Sequence, residues 1–256
     1  MADNIRLSGK EVSGLPGRVF GSASMPAGAI GRAAEGVEFL ELTGQQGLEE
    51  LDRDKEALSQ AVWCAPTIVE EDGSRVTVDG GASPVPYYFA VLADWLVSMT
   101  IDSPSAEIVF RGGTFRRYLH VIPYLLARRG LNGIVSENKP AFGDLSFATV
   151  SADGWAYFRA PFQSSAVMQL PLDTPMPCSS EVRLLAARHG DGGAWLEQCR
   201  EQRADFIQTS SSTYSRTKTE ILRSGWEIDP QVWASLMTFA DRSLIKTSER
   251  SRLGAG

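Results

Sequence analysis

Two stretches with one shared pattern decide the fold: Val76-Thr77-Val78-Asp79-Gly80-Gly81 and, further along, Ile108-Val109-Phe110-Arg111-Gly112-Gly113. Each is a short run rich in β-branched and apolar residues, followed by one charged residue and two glycines. Such a run predicts a buried strand, and the glycines predict a tight turn at its end. Sequence with helical periodicity follows both, so the pattern predicts two successive strand-turn-helix units.

The predicted helices cover residues 83–98, with Ser83 as N-cap, and residues 115–129, with Thr114 as N-cap. A third apolar segment, residues 133–137, follows the second helix. This order of strand, helix, strand, helix and strand favours parallel pairing with right-handed crossovers. We therefore predict an α/β (or α+β) fold, with a mixed sheet built on a β-α-β-α-β core.

Sequence on either side of this core is mainly helical. Ser8 and Glu11 have the spacing of a capping box, which predicts the start of an N-terminal helix. Residues 180–189 and 230–242 are predicted as later helices. The predicted organisation is one compact domain with a helical N-terminal segment (1–62), a β/α core (63–170) and a helical C-terminal segment with a polar tail (171–256).

The composition restricts the partners that we expect. The chain has 25 Lys and Arg against 31 Asp and Glu, a formal net charge of -6, which argues against nucleic acid as a partner. The longest apolar stretch, residues 87–99, contains Asp94 and is shorter than the roughly 20 residues of a spanning helix, so we expect no membrane anchor. The three cysteines form no C-x-x-C motif, which indicates a reducing compartment. We expect a cytoplasmic protein without a signal peptide.

Asp79, Arg111 and Glu137 stand at the ends of the three predicted strands. Ligands of open parallel sheets bind beyond the carboxyl ends of the strands, so these side chains are candidates for the rim of a pocket. Each also has a structural interpretation: Asp79 caps a turn, Arg111 pairs with an acid, and Glu137 lies in an exposed loop.

The strongest local signal is Arg111-Gly112-Gly113-Thr114 with Arg116 and Arg117, in a region (108–130) that holds five arginines and no acid. Glycines admit a ligand close to the backbone, a helix N-terminus offers amide donors, and arginine offers a forked donor. We therefore predict that these six residues bind a small anionic metabolite. His120, Asp79 and Glu137 are the candidate acid–base residues, although His120 lies among apolar residues and is equally compatible with the core.

Several chemistries are excluded by missing motifs. The sequence has no G-x-G-x-x-G, no G-x-x-x-x-G-K-[ST] and no G-x-S-x-G, so it lacks a dinucleotide fingerprint, a Walker loop and a nucleophile elbow. With two histidines and no H-E-x-x-H, it cannot build a zinc site from several histidines. We predict no metal site, and the sequence leaves the cofactor unknown.

Two sets of residues at the chain ends form a recognisable pattern. The first set, over roughly residues 7–51, is Leu7-Ser8, Glu11-Val12, Leu15, Pro26, Gly28, Ala33-Ala34, Val37, Leu40, Gly47-Leu48 and Leu51. The second, over 229–256, is Asp229-Pro230, Trp233, Leu236, Ser248-Glu249, Ser251-Arg252 and Gly254-Ala255-Gly256. Together they resemble the ends of a bacterial domain-of-unknown-function family, the one numbered three-seven-two-six. The resemblance implies no activity and no site residue. It does imply that the polar tail is a recurring element of the family. Such a tail closes over a ligand, docks on a neighbouring subunit or frays.

These observations leave two hypotheses. In the first, the protein is an enzyme of the lyase, isomerase or hydrolase type, and it holds its anionic substrate through Arg116, Arg117 and the amides around Gly112. In the second, it is a non-catalytic binding or assembly module that acts through a protein partner or a homodimer.

Overall fold

The structure is a computed structural model that describes residues 5–137, 145–159, 181–189 and 207–253, with side chains to residue 242. The chain forms two compact units, residues 1–63 with 214–256 and residues 64–213. We call them the helical unit and the sheet unit. The last three residues of the predicted polar tail lie outside the described residues.

Helices dominate both ends of the described chain, and most of the strands lie between them. In chain order the elements are β1 (Ile5–Leu7), α1 (Gly9–Ser22), α2 (Ala27–Leu42), α3 (Gly47–Ser59), β2 (Thr67–Asp72), β3 (Arg75–Asp79), α4 (Phe89–Asp102), β4 (Ser105–Arg111), α5 (Ile122–Ala127), β5 (Leu131–Glu137), β6 (Leu145–Ser151), β7 (Gly154–Arg159), β8 (Val182–Arg188), β9 (Ile207–Ser210), α6 (Ser211–Ser224), β10 (Trp226–Ile228) and α7 (Pro230–Leu253). Two 3-10 helices, Val85–Tyr87 and Arg116–Val121, precede α4 and α5.

In the helical unit, α1 packs against α2 and α7, and β1 pairs with β10 in antiparallel orientation. The predicted capping box is present: Ser8 Oγ accepts the Glu11 N–H at 3.2 Å, and Glu11 Oε2 accepts the Ser8 N–H at 3.1 Å. Leu15 and Val19 on α1 are fully buried. An apolar face with a local start signal explains why this helix is predictable from sequence.

In the described part of the sheet unit, eight strands form a mixed sheet in the order β2-β3-β4-β8-β5-β6-β7-β9. The predicted α/β architecture with a β-α-β-α-β core is confirmed, and β3 pairs with β4 in parallel. Strand β8 lies between β4 and β5 and is antiparallel to both, so β4 and β5 run in the same direction without pairing.

The helix predicted over residues 180–189 is wrong, because this segment forms β8. Val182, Leu184 and Ala186 alternate along one face and are buried, which is the period of a strand. Leucine and alanine favour helices, but burial in the middle of a sheet outweighs that preference.

The two helices of the core begin later than predicted. Ser83 caps no helix; its Oγ donates to the Cys64 carbonyl at 2.8 Å, and α4 begins at Phe89. Thr114 is not an N-cap either, and α5 begins only at Ile122. Pro123 lacks an amide hydrogen and therefore favours the first turn of a helix at that point. Within the described ranges, no helix is long and apolar enough to cross a membrane.

Candidate functional site

The ends of three strands meet at one end of the sheet. Asp79 and Arg111 are register partners in the parallel β3–β4 pair, and Val182 pairs with both Phe110 and Glu137. Because β3, β4 and β5 run in the same direction, the structure places Asp79, Arg111 and Glu137 at this common end. The residue before Val182, Glu181, therefore lies there as well.

The two glycine bends lie side by side and bind each other through their backbones. The donors and acceptors are Gly80 N–H to Arg111 O (2.8 Å), Gly113 N–H to Gly81 O (2.7 Å), Thr114 N–H to Ser83 O (3.1 Å) and Val85 N–H to Thr114 O (2.9 Å). The amides of Gly113 and Thr114, which the sequence predicted to bind an anion, are therefore occupied within the protein. At these two amides the expected cradle is corrected, because a donor already bound to a carbonyl of the protein is not offered to a ligand.

Packing explains why both bends contain glycine. A Cβ at Gly80 would lie 2.5 Å from Tyr88 Oη and 2.6 Å from Phe110 Cζ, and one at Gly113 would lie 2.5 and 2.8 Å from the same atoms. Gly113 also has a φ of +70°, which residues with a Cβ rarely adopt. Burial raises the pKa of the Tyr88 hydroxyl, which stays protonated and donates to the Ser83 carbonyl at 3.2 Å.

Arg111 is half-exposed and pairs with a buried acid. Its Nε donates to Glu181 Oε1 at 2.5 Å, while the Glu181 side chain is only 5% exposed. Among the described residues, the terminal guanidinium nitrogens of Arg111 have no hydrogen-bond partner. The sequence-based alternative that Arg111 pairs with an acid therefore holds, yet the pairing leaves its two terminal nitrogens available to a ligand.

Arg116 and Asp79 approach the same glycine, Gly112. Arg116 Nε donates to the Gly112 carbonyl at 2.8 Å, and a Cβ at Gly112 would lie 2.8 Å from Asp79 Oδ1. Asp79 Oδ1 accepts the Gly81 N–H at 2.7 Å, so Asp79 does cap a turn, while its second oxygen has no partner in the part of the chain that the structure describes. We call Asp79, Arg111, Gly112, Arg116 and Glu181 the strand-end site.

A strained residue directs the chain out of the second bend. Phe115 has a φ of +58°, in the left-handed region that non-glycine residues seldom occupy. It stands between Thr114, whose backbone is paired to the first bend, and the 3-10 helix that carries Arg116. The strain at Phe115 therefore turns the Arg116 segment back toward Gly112.

The remaining predicted residues are not part of the strand-end site as defined above. His120 is completely buried, its Nδ1 lies 2.8 Å from Ser146 Oγ, and its carbonyl accepts the Tyr157 hydroxyl at 3.0 Å. The structure thus places His120 in the core, which was the alternative interpretation. Glu137 is 5% exposed at the end of β5, so it is not in an exposed loop, and Arg117 is half-buried.

The second histidine is also distant from the strand-end site. His189 follows β8, and the neighbouring Arg188 N–H donates to the carbonyl of Pro104, which precedes β4. His189 therefore lies at the opposite end of the sheet from Arg111. Carboxylates and guanidinium groups, rather than imidazole, are the chemistry that this site offers.

Metal and cofactor chemistry can be tested against the same residues. Within the described ranges, no group of three or more His, Cys, Asp or Glu side chains is arranged to hold a metal ion. The two glycine bends do not fit the pyrophosphate of a dinucleotide, because the amides of Gly80, Gly81, Gly113 and Thr114 are occupied and the sequence lacks the fingerprint that opens such a site.

Glu181 was missed by sequence reasoning. It carries no motif, and it reaches Arg111 only because β8 inserts beside β4, across 70 positions of sequence. The available signal was the alternation of Val182, Leu184 and Ala186, which identifies a strand. Because this strand is antiparallel to its neighbours, the residue before it lies at their carboxyl ends.

No protein-family model matches the chain, and no curated protein matches its sequence. The resemblance of the chain ends to the domain-of-unknown-function family stays a prediction. Solved structures do match. Sulfolactate dehydrogenase from Methanocaldococcus jannaschii is 11% identical with a TM-score of 0.65, over 93% of this chain and 97% of that one.

Two further structures agree with this similarity. Malate dehydrogenase from Pyrococcus horikoshii OT3 is 14% identical with a TM-score of 0.66, over 93% of this chain and 95% of that one. Delta1-piperideine-2-carboxylate reductase from Pseudomonas syringae pvar. tomato is 12% identical with a TM-score of 0.61, over 92% and 99%. At these identities the similarity establishes the fold.

These comparisons correct one expectation. The structural relatives are dehydrogenases and a reductase, so the expected lyase, isomerase or hydrolase is contradicted. The error has a physical cause, because strand-end acids and arginines bind an anion equally well in any of these reaction classes, and the sequence holds no cofactor motif that separates them.

Proposed function

We propose that the protein is an oxidoreductase that acts on a small carboxylate, at the carbon next to the carboxyl group. The observation that carries the proposal is the strand-end site, where the guanidinium groups of Arg111 and Arg116, whose terminal nitrogens bind no described residue, share one end of the sheet with the Asp79 carboxylate. This site lies in a fold shared, over nearly the whole length of both chains, with dehydrogenases of small organic acids. Fold alone does not determine function, so the side chains must carry the argument.

The substrates named for the relatives have one chemical feature in common. Sulfolactate, malate and Δ1-piperideine-2-carboxylate each carry a carboxylate beside a carbon bound to oxygen or nitrogen. A planar carboxylate is the group that an arginine fork binds through two parallel hydrogen bonds. Arg111 and Arg116 are therefore proposed to bind the carboxylate of such a substrate.

Glu181 is proposed to hold Arg111 in position. Its Oε1 binds Nε, so the plane of the guanidinium is fixed while the two terminal nitrogens stay available to the substrate. Arg116 is fixed in the same way by the Gly112 carbonyl. Preorganised donors of this kind lose little entropy when the substrate binds.

In the oxidation direction, the reaction moves one hydride, which carries two electrons, and one proton. The C–H bond at carbon 2 breaks, and its hydrogen leaves with the electron pair as a hydride to a hydride acceptor. The hydroxyl O–H bond breaks and its proton passes to a base, while a C=O bond forms. Asp79, whose second oxygen binds no described residue, is the proposed base.

The proposal is tested by steady-state kinetics on the full chain. The substrates are malate, lactate and their 2-keto acids, with nicotinamide dinucleotides and an artificial hydride-accepting dye tested separately as partners. Arg116→Met and Arg111→Met should raise KM about tenfold to a hundredfold, because each removes a charge-assisted hydrogen bond to the substrate. Asp79→Asn should lower kcat with little change in KM.

The matched control is Arg32→Met, because Arg32 is an exposed arginine of α2, outside the strand-end site. Its KM and kcat should equal those of the unaltered protein. Saturable binding of malate without turnover with any hydride acceptor would refute the oxidoreductase proposal. Turnover with an unchanged KM in an Arg111→Met, Arg116→Met double variant would instead refute the site.

A further inference from the structure

The helical unit contains a cavity of about 330 Å³ between α1, α2, α6 and the beginning of β10. All of its wall residues belong to this unit, so it is independent of the strand-end site. Its volume is at the lower end of the range of small-molecule sites, about 300 to 1,000 Å³. A ligand of a dozen or so non-hydrogen atoms is the size that such a space admits.

The charges on the wall favour a cation. Glu35 and Glu38 lie three positions apart on one face of α2, and Lys218 on α6 faces them. Lys218 Nζ lies 2.9 Å from Glu38 Oε1, and the Glu38 side chain is 18% exposed. The other oxygen of Glu38 makes no hydrogen bond or ion pair with any described residue. The wall therefore offers a half-buried carboxylate oxygen that no described residue uses.

The rest of the wall is largely apolar. Leu42, Ile221 and the mostly buried Trp226 contribute to it. An indole ring attracts cations as well as apolar groups. A carboxylate wall and an apolar wall within one small cavity match a molecule with an ammonium group at one end and an apolar body at the other.

We propose that this cavity binds a small primary amine with an apolar body. The ammonium group donates to the second oxygen of Glu38, and the body of the ligand packs against Leu42, Ile221 and Trp226. Nothing in the proposed redox reaction requires this ligand, so the cavity is a separate binding site.

Isothermal titration calorimetry on the full chain with benzylamine tests the proposal, with benzyl alcohol and benzoate as neutral and anionic compounds of nearly the same shape. Benzylamine should bind saturably and at least tenfold more tightly than either, because only the ammonium forms a charge-assisted hydrogen bond with Glu38. Equal affinity for the alcohol, or no saturable binding of the amine at millimolar concentration, overturns the proposal.

A pair of glycine variants locates the binding site. A Cβ at Gly31 would have no heavy atom within 4 Å, and Gly31 lines the cavity, so Gly31→Leu should fill it and abolish amine binding. Gly28 lies on the same helix with equally open space but does not line the cavity, so Gly28→Leu is the matched control and should bind normally. Unchanged binding in Gly31→Leu would show that the amine binds elsewhere and overturn the assignment.

Two charge variants should have opposite effects. Glu38→Gln should weaken benzylamine binding about tenfold or more, because the anionic acceptor is lost. Lys218→Met should strengthen it, because Glu38 loses its internal partner and offers both oxygens to the ligand. A merely structural role of these residues would weaken binding in both variants, and that result would also overturn the proposal.

Discussion

Replacing Gly113 with alanine should destabilise the sheet unit by about 2 to 5 kcal/mol, and the structure separates this loss into two parts. The first part is conformational, because alanine at a φ of +70° costs about 1 to 2 kcal/mol. The second is steric, because the new Cβ would lie 2.5 Å from Tyr88 Oη. Forcing an additional group into a packed core costs about 1 to 3 kcal/mol.

Two other glycines of the same unit isolate each part. Gly73, in the β2–β3 turn, has a φ of +57° and open space around its Cβ position, so Gly73→Ala should lose only the conformational part. Gly80 has no positive φ but faces the same Tyr88 and Phe110 atoms, so Gly80→Ala should lose only the steric part. The two losses should add up to the loss in Gly113→Ala to within about 0.5 kcal/mol if the two costs are independent.

Removing the Tyr88 hydroxyl should relieve part of the clash. Tyr88→Phe alone loses the hydrogen bond to the Ser83 carbonyl, about 1 kcal/mol. Combined with Gly113→Ala, it should cost less than the sum of the two single losses, and this difference is the coupling energy of the pair. Urea unfolding followed by far-UV circular dichroism and tryptophan fluorescence gives each free energy, provided that the m-value does not change. A Gly113→Ala variant no less stable than Gly73→Ala would refute the packing argument.

Two further predictions concern ion pairs. Glu107→Gln should destabilise the protein by about 3 kcal/mol in urea unfolding, because the buried Arg183 loses a charged partner. Glu227→Gln removes the exposed partner of Arg6 and should cost less than about 1 kcal/mol. Equal losses in the two variants would contradict this prediction. The hydrogen bond from Arg242 holds the pKa of Glu56 below its usual value of 4.5. The stability that the Glu56 carboxylate contributes is therefore present above pH 4.5 and is lost as the pH falls through the lowered pKa. Glu56→Gln should accordingly be less stable than the unaltered protein near pH 7, the difference should shrink as the pH falls below 4.5, and a constant difference in urea midpoints would contradict the linkage.

Features that depend on neighbouring residues could be predicted from the sequence. The Ser8–Glu11 capping box spans three positions of the sequence. The parallel β3–β4 pair followed from two matching local patterns. In each case the signal and the structure that it predicts lie within one or two elements of the chain.

Features that depend on distant residues could not be predicted. His120 lies in the core because Ser146 and Tyr157, which are 26 and 37 positions away, supply its polar partners. The amides of Gly80, Gly113 and Thr114 are occupied because the two bends meet each other, and no single bend contains that information. The sequence brought Asp79, Arg111 and Arg116 into consideration, but it could not show which of their polar atoms were already in use.

The position of β8 also has a consequence for biosynthesis. The ribosome completes β4 at Arg111 and β5 at Glu137 well before it releases the strand that belongs between them, which starts at Val182. Until then each of the two nascent strands exposes an unsatisfied edge, and such edges can associate with other chains. The emerging polypeptide therefore has a period of vulnerability to aggregation, in which chaperone assistance would have its greatest effect, and that period ends when the late strand enters the gap.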